Sequence, residues 1–127
     1  MLFRSLGADT TAARAQTIAA WSPPVVTGDP ARGTKLFAAL CASCHGVDAR
    51  GRGPLAEKLA APPADLVAGP RPRTTRAAPE STAAELARVI RFGVPGTAMA
   101  GHETLSETDI AALTAFVTAL KLTATPP

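Results

Sequence analysis

Cys41-Ala42-Ser43-Cys44-His45-Gly46 constrains this chain more than any other stretch. It holds both of the chain's cysteines, so no disulfide framework can form elsewhere. On one helical turn, thiols three residues apart project to the same side, and the next residue delivers an imidazole beside them. Three chemistries use such a cluster. A thioredoxin-type dithiol needs a βαβ context around its C-x-x-C. A zinc site could draw on Cys41, Cys44, His45 and His102, but adjacent Cys and His ligands are awkward for tetrahedral chelation. C-x-x-C-H is also the attachment signature of a c-type haem, in which each thiol adds to a vinyl group and the imidazole sits beneath the iron.

The rest of the chain separates these options. No alternating strand pattern occurs, which leaves a thioredoxin-like unit without its sheet. At 127 residues there is room for one domain. The hydrophobic fraction of 46% is largely alanine, with four Phe, one Trp and no Tyr. A core built from these alone would be thin, and a buried macrocycle would supply the missing apolar volume. A net charge of +3 is far from the dense basic stripe of a nucleic-acid binder. No run of 18 apolar residues is present, so no membrane span is expected.

Residues 1–27 carry one weak helical candidate, from about Thr10 to Trp21 with Ile18 and Trp21 three apart, and four further helical segments are predicted. Asp29 and Pro30 suit the cap and first turn of a helix over Ala31–Leu40, with Gly33, Leu36, Phe37 and Leu40 at helical spacing. A short helix from Pro54 to Ala60 would turn Leu55 and Leu59 inward. A third begins near Ser81-Thr82, with Glu85 at capping-box distance from Thr82, and ends at Gly93. Its buried stripe is Leu86, Val89 and Ile90, with Arg88 and Arg91 facing out. The last opens at Ser106, with Asp109 three residues on, and carries the stripe Ile110, Leu113, Phe116, Val117 and Leu120.

With these pieces in order, residues 28–122 resemble the class I, monohaem c-type cytochromes of bacteria. The resemblance rests on C-x-x-C-H, Gly53-Pro54, the Pro62-Pro63-Ala64-Asp65-Leu66 segment, the Gly93-to-Met99 loop and the capped C-terminal helix. It implies an all-α fold in which the first and last helices cross, Gly33 and Phe37 meeting Phe116, with loops wrapped round one covalent haem c. It implies thioethers at Cys41 and Cys44, His45 as proximal iron ligand and Met99 as distal ligand. It further implies that the Pro54 carbonyl accepts the ring N–H of His45. Ala100 stands where the family commonly has the proline that stiffens the Met loop. Arg50 or Arg52 are candidate partners for a haem propionate. His102 is the competing distal ligand.

A His/Met pair closes both faces of the iron and raises its potential, which suits one-electron transfer rather than catalysis. The expected protein is therefore an electron carrier and no enzyme itself. It would be a free shuttle, or the cytochrome subunit or domain of a periplasmic dehydrogenase or respiratory complex. The alternative is a haem-based gas sensor with a displaceable sixth ligand. Redox partners would dock at the exposed haem edge. Between Arg50 and Arg76 there are six basic and two acidic residues, and Arg71, Arg73 and Arg76 are candidates to steer an acidic partner. Glu103, Glu107 and Asp109 form a separate acidic group.

Attachment chemistry of this kind points to the periplasm, yet Asp9, Thr10 and Arg14 interrupt any apolar signal region after Met1. A trimmed signal, a domain cut from a larger protein, or export arranged upstream would each account for that. Residues 1–27 read either as a mobile extension before Pro23-Pro24 or as an arm whose Trp21 anchors on a partner or on the domain itself. Residues 123–127 are expected to fray.

Overall fold

The computed structural model describes residues 12–13, 16–23, 27–68, 83–94 and 97–123. Among them the secondary structure is helical, with no strand beyond an isolated bridge between Gly93 and Ala100. Helix α1 spans Pro30–Leu40, α2 Ala42–His45, α3 Ala83–Phe92 and α4 Glu107–Thr123, with a 3-10 turn at Ala56–Lys58 between α2 and α3.

Local chemistry explains the helix ends. The Asp29 side chain accepts the Ala31 amide at 3.0 Å, and Pro30 occupies the first turn, where a missing N–H costs nothing. At α4, Ser106 Oγ accepts the Asp109 amide at 3.1 Å, and Glu107 and Asp109 place negative charge in the first turn. At the far end of α3, Gly93 adopts φ +75°, and its amide returns to the Val89 carbonyl at 2.8 Å. A left-handed residue of this kind ends a helix, and glycine adopts it without steric cost. The predicted Ser81-Thr82 cap lies outside the described residues.

Helices α1 and α4 cross through a glycine. A Cβ on Gly33 would lie 2.2 Å from the Ala112 carbonyl oxygen and 2.7 Å from the Phe116 Cβ, so the two backbones touch where a side chain would hold them apart. Beside this contact the Phe37 and Phe116 rings meet at 5.0 Å between centroids. Leu36, Phe37, Leu86, Ile90, Ile110 and Leu113 are buried in one core that α3 closes from the side.

The short helix expected over Pro54–Ala60 is reduced to a single 3-10 turn, and Leu55 is exposed rather than turned inward. The Leu55 amide is tied to Ser43 in α2, and the bonds that follow, Lys58 to Leu55 at 3.1 Å and Leu59 to Ala56 at 3.2 Å, close three-residue turns rather than an α-helix. The outward placement of Arg88 and Arg91 is likewise corrected. Residues 16–20 are helical, Ile18 is buried, and the chain that follows lies on this face of α3. Arg88 Nε donates to the Trp21 carbonyl at 2.8 Å, while its Nη1 meets the buried Glu85 carboxylate at 3.2 Å.

The Glu85–Arg88 pair is largely removed from water, with side-chain exposures of 6% and 19%. Breaking a desolvated pair leaves one charge without its partner. Glu85→Ala is expected to lower the unfolding free energy of the haem-loaded protein by about 1–2 kcal/mol, the cost falling at the low end because Arg88 keeps its bond to Trp21. Denaturant titration measures this, and parental stability in the variant would remove the pair from the account.

Candidate haem site

Cys41 belongs to the end of one helix and the start of the next. Its amide donates to the Phe37 carbonyl at 2.9 Å, closing α1, and its carbonyl accepts the His45 amide at 3.0 Å, opening α2. The two thiols and the imidazole therefore sit on a turn rigidly continuous with α1. The loop after α2 folds back along it. Gly51 donates to His45 at 2.8 Å, Gly53 to Cys44 at 2.9 Å and Leu55 to Ser43 at 2.8 Å. Alternate amides thus satisfy successive carbonyls at the end of α2. Pro54, without an amide, falls between two donors and costs the loop nothing.

The imidazole is held from a different segment. His45 Nδ1 lies 3.0 Å from the Ala64 carbonyl oxygen. A carbonyl only accepts, so Nδ1 carries the hydrogen and Nε2 keeps its lone pair for a metal. The expected partner, the Pro54 carbonyl, is not the one found: Pro54 is exposed, and its neighbours' amides are engaged along the back of α2. Ala64 is positioned by what surrounds it. The Asp65 carboxylate accepts the amides of Val67 and Ala68, both at 2.9 Å, and the Leu66 amide donates to Ala49 at 2.8 Å. The Pro62-Pro63-Ala64-Asp65-Leu66 segment, noted in the sequence without a role, is therefore the one that orients His45.

Burial pushes the Cys41 thiol up to about 11, with the neighbouring Cys44 adding to the shift. A dithiol nucleophile needs the opposite displacement. The four-ligand zinc set is also not assembled: among the described residues no three His, Cys, Asp or Glu side chains converge as metal ligands. The His102 ring instead places Nδ1 3.4 Å from the Ile90 carbonyl, and its amide donates to the same oxygen at 3.1 Å.

Met99 lies half-buried on the loop after α3. The Val94 amide donates to the Met99 carbonyl at 3.1 Å, and Thr97 Oγ1 accepts the Met99 amide at 3.2 Å while donating to Val94 at 2.7 Å. With Gly93 bridged to Ala100, the loop is closed by hydrogen bonds, although alanine replaces the stiffening proline. The structure thus assembles Cys41, Cys44 and His45 on one turn and puts Met99 on a separate, tied loop. Arg50 and Arg52 are both exposed, the Arg50 amide bonded to Asp48 at 3.2 Å. Pro95 and Gly96, and the Arg71, Arg73 and Arg76 group, lie outside the described residues.

These residues fit a covalent haem. Two thiols share a turn, and the adjacent imidazole has its free nitrogen selected by Ala64. Among the described residues the exposed large hydrophobic ones are Leu40 and Val47, which flank the motif in sequence, and Leu55, whose amide is bonded to α2.

A sequence model of the cytochrome c family matches residues 30–121. Comparison with curated proteins returns no match. Among solved structures, the chain is similar to one from the Kuenenia stuttgartiensis reducing HAO-like protein complex Kustc0457/Kustc0458, with a TM-score of 0.62 and 27% identity over 79% of this chain. That likeness spans 44% of the other chain, less than half its length.

Proposed function

From the premise that this chain belongs to the cytochrome c family, a family of haem-based electron carriers, we propose that it moves single electrons through one haem c bound by Cys41 and Cys44. His45 is the proximal iron ligand and Met99 the distal one. The observation that carries this reading is the Ala64 bond to His45 Nδ1, which fixes the ring's tautomer and leaves Nε2 as the coordinating atom. When bound, the haem supplies a one-electron couple at its iron. The protein's part is to hold it. The thiols would anchor the ring edge, Ala64 orients His45 by accepting its Nδ1 hydrogen, and the Met99 loop would close the other face. With His45 and Met99 holding the two faces, the bound haem would have no open position for substrate and would supply electron transfer with little change in its protein ligands.

Arg50 and Arg52 are the proposed propionate partners, and redox proteins would dock at the exposed haem edge. The similarity to a chain of a multi-protein complex supports a role as the electron-transfer part of a larger assembly rather than as a free shuttle. Covalent attachment at C-x-x-C-H resembles an exported chemistry, which supports a periplasmic location for the working protein. Intact-mass measurement is expected to show the chain plus one haem, and a redox titration one wave with single-electron slope. A ferrous form that binds CO at once, without displacing a protein ligand, would favour the gas-sensing alternative instead.

A further inference from the structure

Both limbs of the Met99 loop are fixed to the last turn of α3. The outgoing limb leaves at Gly93, and the returning limb packs Gly101 so closely that a Cβ there would lie 2.5 Å from the Phe92 carbonyl carbon and 2.6 Å from the Arg91 oxygen. The His102 amide then bonds Ile90. Residues 90–93 are thus the platform from which Met99 is presented.

The other side of that platform is held by the N-terminal segment. The Trp21 ring meets the Phe92 ring edge-on, 5.6 Å between centroids and 85° between planes. The Arg91 guanidinium lies over both rings, 5.2 Å from Trp21 and 5.5 Å from Phe92. Its Nε is buried with no hydrogen-bond partner, and the two aromatic rings pack against the guanidinium. The Trp21 carbonyl is pinned from the same helix by Arg88. Without the indole, Arg91 has reason to turn to water, and the turn carrying the loop loses its outer support.

We propose that Trp21 is a positioning residue for the distal ligand: the segment through Trp21 clamps the last turn of α3 and so holds the Met99 loop in its ligating arrangement. This rests on Met99 being the ligand. The clamp makes the N-terminal segment part of the redox site's scaffold, and ties the ease of Met99 displacement to a residue remote in sequence.

The test uses the haem-loaded full chain, with imidazole as a competitor for the iron. An external ligand that must displace Met99 binds more tightly by the factor through which the closed loop is weakened. An edge-on aromatic pair and a cation–π contact together correspond to about tenfold. Trp21→Ala is therefore expected to bind imidazole about tenfold more tightly and to weaken the ferric sulfur-to-iron absorption band, while Trp21→Phe, which retains an aromatic edge, shifts affinity by about threefold or less. Unchanged imidazole affinity and a full band in Trp21→Ala overturn the clamp, even if the variant melts earlier. A parent protein lacking the band, or a Met99→Ala variant keeping it, overturns Met99 ligation and the clamp with it.

Discussion

Met99→Ala is expected to lower the reduction potential by on the order of 0.1–0.3 V, within the ~0.8 V range that axial ligands command. The direction follows from donor softness. A thioether favours ferrous iron, whereas the water or hydroxide that replaces it favours ferric iron. The same change opens the far side of the iron, so the reduced variant should bind CO while the parent does not. The competing ligand gives a distinct outcome. His102 is bonded to Ile90 through both its amide and its ring, which commits it to the end of α3. If His102 were nevertheless the ligand, Met99→Ala would leave the potential in place and His102→Ala would move it. An unchanged potential in Met99→Ala, without CO binding, would remove the His/Met centre.

How far this centre was legible depended on whether side chains or backbone carried the information. Capping groups, the α1 and α4 stripes and the motif turn all depend on residue type at a given spacing, and Asp29, Ser106, Gly93 and Phe116 occupy the expected positions. The partner of His45 was misread because any residue offers a carbonyl. Nothing about alanine at position 64 distinguishes its oxygen from that of Pro54. The usable signal was indirect: two prolines that keep the chain extended, followed by an aspartate that bonds two amides just beyond. Arg88 and Arg91 were misread for another reason. Helical periodicity assigns charged residues to solvent by default, yet Arg88 is bonded to a carbonyl 67 residues away in sequence. A pattern confined to one helix cannot show which other segment will lie on it. Leu55 fails similarly, since its apolar spacing could not show that its amide would bond Ser43 in α2.

Gly33→Ala is expected to destabilise the protein, although local propensity argues the reverse. Alanine is favoured over glycine inside a helix by roughly 1 kcal/mol. Against that gain stands the crossing, where the new methyl would lie 2.2 Å from the Ala112 carbonyl oxygen and 2.7 Å from the Phe116 Cβ. Neither atom is the far end of a flexible side chain, so one helix must move. Relieving such a contact costs more than ordinary overpacking, about 3 kcal/mol or above, which leaves a net loss of about 2–3 kcal/mol. At ~4–8 °C per kcal/mol for a domain of this size, the melting temperature should fall by about 10 °C or more. The effect should reach the haem, because the Cys41 amide is bonded to Phe37, whose ring packs on Phe116 and lies 6.5 Å from the His45 ring. Spreading α1 from α4 therefore tilts the turn that bears both thiols, and the yield of haem-loaded protein should fall along with its stability. A Gly33→Ala variant that melts at or above the parent temperature would mean that propensity outweighs the crossing and that the helices tolerate the separation.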